Sequence, residues 1–263
     1  MGDAAPGEYD PRISVEGEGP PLVLVPGMDG TGLLFYRQVP LLARRFRVAT
    51  YMLRDDADSM EVLVDDLAGV VDSLGPADEP ALLVGESFGG ALSMSFALRF
   101  PERAAGLVVV NSFPHFRPHL RLNLAIQGLR MVPWGAMRLV RRLTGFRMHS
   151  KYTHRDEIRR FIKLTAQATK RGYIGRLKIL RDYDILDDLA GIRMPALFLA
   201  ADEDHLVPAV EQAELMVKRV PGARLRVLSG HGHVCLIAPN VDLARIISEW
   251  NATRPALHRD KLF

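Results

Sequence analysis

The stretch Leu82-Leu83-Val84-Gly85-Glu86-Ser87-Phe88-Gly89-Gly90 decides how the rest of the chain is read. A short apolar run ends at Gly85, a serine follows two residues later, and Phe88-Gly89-Gly90-Ala91-Leu92 opens a helical pattern. This is G-x-S-x-G set between a strand and a helix. Such a turn is sharp, so a side chain at Gly85 or Gly89 would collide with the neighbouring strand or helix. The serine hydroxyl is then held at the top of a sheet, near the positive end of the helix. The competing reading is a glycine-rich turn whose serine caps that helix. The apolar strand before it and the Ala/Leu-rich helix after it favour a nucleophile.

Outward from this turn, strands and helices alternate. Arg12 to Val15 is a short strand, and Pro21 to Val25 a buried one closed by Pro26-Gly27. The polar turn Met28-Asp29-Gly30-Thr31-Gly32 follows, then a helix over Leu33 to Arg45 disturbed by Pro40. Phe46 to Met52 reads as a strand. Met60, Val64, Leu67, Val71 and Leu74 recur at helical spacing. Helix Phe88 to Phe100 stops at Pro101, and Leu107 to Val110 is again a buried strand. The pattern resumes with strand Pro195 to Ala201, helix Ala209 to Val220, strand Arg224 to Leu228 and helix Val241 to Trp250. Continuous apolar strands alternating with helices predict a parallel sheet covered on both faces.

Between Pro114 and about Ile185 the alternation stops, and only Arg-rich helical segments are read. That region is also set apart by charge. Pro114 to Asp184 holds 17 Lys/Arg against 4 Asp/Glu, a balance of +13; with the whole chain at +3, the remainder is −10. The expected organisation is a core of residues 1–113 and 186–263, with 114–185 a helical cap inserted after the strand ending near Asn111. Such an insert would lie over the carboxyl ends of the strands, where open α/β sheets bind ligands.

A length of 263 residues fits one large α/β domain or two small ones, and 48% hydrophobic with 25% charged residues is the balance of a soluble globular protein with a sizeable core. No run is long and apolar enough to span a bilayer. Met1 to Pro21 is acidic and Gly/Pro-rich, without the basic and apolar regions of a signal peptide. The single cysteine, Cys235, excludes an internal disulfide and suits a reducing cytoplasm, the expected compartment. Its apolar neighbours mark it as a small core residue.

A serine hydroxyl needs a base, and the base needs an orienting acid. Two polar turns follow predicted strands downstream: Asp202-Glu203-Asp204-His205, before Val207-Pro208, and Gly230-His231-Gly232-His233. These carboxylates and imidazoles could instead form a metal cluster. Their spacing matches no known metal motif, and that reading leaves the serine turn unexplained.

On these motifs the chain resembles the α/β-hydrolase family from about Ile13 to Trp250. The resemblance implies a mostly parallel central sheet flanked by helices. It implies Ser87 as nucleophile, with the partners following in the order acid then histidine. The family's D-x-x-V-P pattern falls on Asp204, with Asp202 as alternative. Its G-x-G-H pattern falls on His233, with His231 as alternative and otherwise a surface or supporting residue. The N–H of Phe88 and of Met28 would form the oxyanion hole, although Pro26-Gly27-Met28 stands where the family usually has His-Gly. Pro-Gly-Met-Asp-Gly-Thr-Gly with Gly-Glu-Ser-Phe-Gly-Gly resembles the esterase/lipase/acyltransferase branch that includes the plastid phytyl ester synthases.

The implied activity is hydrolysis of carboxylic esters with apolar acyl groups, without metal or organic cofactor. Alternatives are acyl transfer through the same acyl-enzyme, or a non-catalytic ligand-binding module on this fold. In the insert, Leu122, Ile126, Leu129, Trp134, Met137 and Val140 recur at helical spacing, with Arg121, Arg130, Arg138, Arg141 and Arg142 around them. They read as helices packed on the body with a charged outer face. Trp134 and Met137 are candidates for substrate contact on the inner face, and the basic outer face for contact with an anionic membrane surface. No nucleic-acid motif is present.

Overall fold

The computed structural model describes residues 10, 12–76, 78–116, 119–131, 133–136 and 148–253. Among them, seven strands form one sheet: β1 (Ile13–Glu16), β2 (Pro21–Val25), β3 (Arg47–Tyr51), β4 (Ala81–Glu86), β5 (Ala104–Val110), β6 (Ala196–Ala201) and β7 (Arg224–Leu228). Their spatial order is β1-β3-β2-β4-β5-β6-β7. β1 is antiparallel to β3, and every other pair is parallel.

The apolar runs of β2, β4 and β6 are buried at every residue, because helices cover both faces. Successive side chains point to opposite faces, so one strand feeds two cores. Val23 and Val25 pack with Leu63, Leu67 and Phe96 on one side of the sheet. Those partners come from α2 (Met60–Asp72) and α3 (Phe88–Arg99). Leu22 and Leu24 pack on the other side with Leu42 of α1 (Val39–Leu42) and Ile246, Ile247 and Trp250 of α8 (Leu243–Ala252). Cys235 is wholly buried in this second core, as its apolar neighbours predict.

The helix expected over Leu33 to Arg45 is instead a 3-10 turn, Leu33–Arg37, followed by the short α1. Pro40 sits in the first turn of α1, where a missing N–H breaks no helical bond. Between β5 and β6 the described elements are α4 (His119–Met131), a 3-10 turn Trp134–Ala136, α5 (Arg155–Thr165) and α6 (Lys170–Asp182), and no strand is among them. Glu157 seats α5 on the body: it accepts hydrogen bonds from Tyr36 and, at 2.8 Å, from Arg37. α7 (Ala209–Val217) follows β6. Among the described residues, no helix is long and apolar enough to cross a membrane.

The chain leaves β2 for β3 on one side and leaves β4 for β5 on the other. The crevice beyond the carboxyl ends of β2 and β4 is therefore the switch point of the sheet, the place where open α/β sheets take ligands. Behind it, Gln38 is fully buried. Its amide donates to Leu236 O (2.6 Å) and Val241 O (2.9 Å) and accepts from Leu243 N (3.0 Å), pinning the segment that follows the predicted histidine. Gln38→Ala strands three buried backbone groups, each costing about 1–3 kcal/mol. The expected loss of stability is at least about 3 kcal/mol, read from the urea midpoint with the slope unchanged.

Candidate active site

Ser87 stands between β4 and α3 at φ 56°, ψ −118°. A non-glycine residue in that region costs about 1–3 kcal/mol and must be held by its surroundings. Backbone contact does this. A Cβ on Gly85 would lie 2.3 Å from Gly89 O, and one on Gly89 would lie 2.1 Å from Val25 O. The chain thus folds back on itself and onto the end of β2, as the G-x-S-x-G reading requires. Ser87 N donates to Val110 O at 2.8 Å, and Ser112 Oγ donates to Ser87 O at 2.7 Å.

His233 Nε2 is 3.0 Å from Ser87 Oγ, and His233 Nδ1 is 2.7 Å from Asp204 Oδ2. Both side chains are buried, Asp204 completely. With Nδ1–H donating to the carboxylate, Nε2 is the acceptor for the Ser87 hydroxyl. The other oxygen of Asp204 accepts from Leu206 N (2.9 Å) and Val207 N (3.0 Å), so the turn's own backbone fixes the carboxylate. The alternatives go elsewhere. Asp202 accepts from Gly230 N at 2.6 Å. His231 is not on the surface: it is buried, and its ring bonds Ser150 Oγ (2.7 Å) and Asn240 Nδ2 (3.3 Å). Burial pushes its pKa down, opposed by the charges of Asp202 and Glu203. Among the described residues, no group of three or more His, Cys, Asp or Glu converges as metal ligands would.

Three further residues build the site, and the sequence reading passes over all of them. Asn111, at φ 47°, ends β5. Its amide nitrogen donates to His233 O at 2.7 Å, and its oxygen accepts from Ala201 N at 2.8 Å. It therefore ties the histidine loop to the end of β6. Arg176 reaches from α6 to the carbonyls after β2. Glu86, beside the nucleophile, is buried, and its Oε1 has no hydrogen-bond partner. Asn111 and Arg176 carry no motif and Glu86 fills a variable position of G-x-S-x-G, although asparagine's tolerance of positive φ is a usable hint at Asn111.

A cavity of about 320 Å³ opens above Ser87 and His233. Gly27, Met28 and Asp29 form one edge, and Phe113, Phe116, Leu122, Phe161, Leu177 and Leu180 form much of the wall. Apart from Tyr173, the ionisable lining groups are Asp29, Glu86 and His233; no Lys or Arg is among the described lining residues. The loop after β2 passes against the nucleophile, since a Cβ on Gly27 would lie 3.8 Å from Ser87 Cβ. Phe88 opens α3, where the first N–H groups lack helical acceptors. Trp134 is not in this lining. Its indole N–H donates to Ala168 O at 3.0 Å, and its ring packs against Tyr173, 5.9 Å between centroids. Tyr173 is the residue that reaches the cavity, with Trp134 one layer behind. Met137 lies outside the described residues.

Burial, reinforced by the charges of Asp29 and Asp204, raises the Glu86 carboxyl from 4.5 to about 8; a backbone N–H at Leu236 opposes this. Because the folded-state pKa lies above the ordinary value, the folded protein holds this proton more tightly than the unfolded chain. The stability so gained is fully present below about pH 4.5 and lost as pH rises through about 8. Glu86→Gln removes the dependence. Melting curves should show the variant gaining on the parent between pH 5 and pH 9; a constant difference would place the carboxyl in water.

Comparison with known proteins agrees with this fold. Residues 20–238 match the family described as the alpha/beta hydrolase fold. The pimeloyl-[acyl-carrier protein] methyl ester esterase of Aeromonas hydrophila is 28% identical over 257 residues, covering 90% of this chain and 98% of the relative. RutD of Caulobacter sp. (strain K31), provisionally named a carbamate hydrolase, is 28% identical over 233 residues, covering 81% of this chain and 83% of the relative. An esterase structure from Thermogutta terrifontis superposes with a TM-score of 0.79 at 23% identity, covering 90% of this chain and 91% of that one. With the family match running from β2 past the histidine loop, the chain belongs to the α/β-hydrolase fold family.

Proposed function

We propose that this hydrolase cleaves carboxylic esters with apolar acyl groups through a covalent acyl-enzyme on Ser87. The observation that carries the reading is the Ser87–His233–Asp204 chain of contacts, 3.0 and 2.7 Å long, at the floor of an apolar cavity. His233 takes the Ser87 proton as Oγ attacks the ester carbonyl, and Asp204 holds the imidazole tautomer and stabilises the imidazolium. The N–H groups of Met28 and Phe88 receive the developing oxyanion. Collapse breaks the bond to the alkoxide, which leaves with the proton from His233. Water, deprotonated by the same imidazole, then attacks the acyl carbon and returns Ser87.

Residues 114–185 act here as a cap. Leu122, Phe161, Leu177 and Leu180 all belong to that segment and wall the cavity, so the acyl chain is buried between cap and core. Relatives named as a methyl ester esterase and, provisionally, a carbamate hydrolase support a hydrolytic reaction. The apolar wall, without described Lys or Arg, favours an uncharged alkyl ester over a polar carbamate.

With p-nitrophenyl esters, each buried methylene adds up to about 0.8 kcal/mol. kcat/KM is expected to rise more than tenfold from acetyl to medium-chain acyl groups and then level off as the cavity fills. A preference for acetate would contradict the apolar acyl site. Asp204→Asn is expected to lower kcat by about 10³–10⁴-fold, because the amide holds the wrong tautomer. Asp202→Asn should cost less than about tenfold, and the reverse ranking in steady-state assays would refute the assignment.

A further inference from the structure

Arg176 is 2% exposed, among the largest fully buried side chains of the protein. Burying a guanidinium is costly unless its donors are met, and here two of them meet backbone. Nε donates to Met28 O at 2.9 Å and Nη2 to Asp29 O at 3.1 Å. These two nitrogens form one edge of the planar guanidinium, so a single rigid fork takes two successive carbonyls. On the far side, Nη1 lies 3.6 Å from Asp55 Oδ1. Space for the group is built in. A Cβ on Gly30 would lie 2.7 Å from the guanidinium carbon, and one on Gly172 would lie 1.8 Å from Asp55 Oδ1. Desolvation lowers the guanidinium pKa, and the charges of Asp29 and Asp55 oppose this only in part.

The carbonyls so held belong to the tight turn after β2. Gly30 N donates to Gly27 O at 3.0 Å, closing the turn around Met28 and Asp29. That bond orients the peptide joining Gly27 to Met28, and the arginine fork orients the two peptides after it. Turning the Gly27–Met28 peptide therefore breaks the turn bond, and turning either of the next two peptides breaks the fork. The family usually has a histidine in this loop, and this chain has Pro26 before Gly27. Here support arrives from another segment altogether. The same helix that carries Arg176 places Tyr173, Leu177 and Leu180 in the cavity wall. The wall for the acyl group and the brace for the loop are thus one element.

We propose that Arg176 is a positioning residue for ester hydrolysis: from α6 it locks the Met28–Asp29 carbonyls so that the Met28 N–H faces the oxyanion. This rests on the reading of Ser87 as nucleophile and Met28 as oxyanion donor. Removing a whole oxyanion donor costs about 10²–10³-fold in kcat, and displacing a group by about 1 Å can cost about 10²-fold. Arg176 acts through the loop and does not touch the substrate, so its loss should appear in kcat and leave KM near the parent value.

The test is steady-state hydrolysis of a medium-chain p-nitrophenyl ester by Arg176→Met and Arg176→Lys. Each kcat is divided by the sites labelled to completion with a fluorophosphonate, so that only folded, reactive protein is counted. Arg176→Lys keeps the charge but offers one point donor in place of a fork, and it guards against a misfolded Arg176→Met. Expected are losses in kcat per labelled site of about 100-fold for Met and about tenfold for Lys, with KM within about threefold. A purely structural role would lower the labelled fraction and leave turnover per labelled site unchanged. Values within about twofold of the parent in both variants would overturn the proposal while the parent's own labelling and turnover left the function intact. A parent protein neither labelled at Ser87 nor active on esters would overturn the functional reading, and this proposal with it.

Discussion

The structure depends on one close approach of backbone to backbone. The chain leaves β4, turns at Ser87 and starts α3 in so small a space that Gly85 faces the Gly89 carbonyl and Gly89 faces the end of β2. Two consequences follow. Ser87 is forced into a conformation that side chains rarely adopt, and its Oγ comes to the histidine. The end of β2, pressed against the same turn, delivers the Met28–Asp29 loop beside it. Because β2 and β4 flank the switch point of the sheet, the strain lies where the topology already leaves a crevice.

Much of this was legible in the sequence, for identifiable reasons. Buried parallel strands are apolar along most of their length, so β2, β4 and β6 announce themselves as short apolar runs, with Glu86 at the end of β4 the exception. The nucleophile turn constrains its glycines sterically, which makes it a motif. Asp204 and His233 were reached through patterns of turn and glycine, and both side chains meet in the structure as those patterns imply. Asn111, Glu86 and Arg176 were not legible. Each matters through partners far along the chain, more than 100 residues away for Asn111 and Arg176, and no local spacing records such a pairing. Trp134 shows the opposite error. Its helical spacing with apolar neighbours pointed inward, but its N–H required an acceptor and found one behind the cavity wall.

Charge divides the molecule into two regimes. Asp29, Glu86 and His233 line the cavity, with Asp204 behind the imidazole, and burial with the charges of Asp29 and Asp204 raises the Glu86 carboxyl to about 8. The insert carries the opposite excess, yet most of its described cations point outward, as with Arg159 on Asp156 and Arg160 over the Tyr36 ring. Arg176 is the described exception, turned inward and spent on backbone carbonyls. The basic composition of the insert therefore says less about its role than the placement of this one side chain.

The central claim is that Ser87 is a nucleophile activated by His233. Its most direct test is covalent labelling with a fluorophosphonate, read by mass spectrometry of the intact protein and of its peptides. The account predicts one adduct per chain, on the peptide containing Ser87. It predicts no adduct in Ser87→Ala and labelling slowed by about 10³-fold or more in His233→Ala, since a serine without its base is a weak nucleophile. Labelling that persists in Ser87→Ala, or that proceeds at the parent rate without His233, would contradict it.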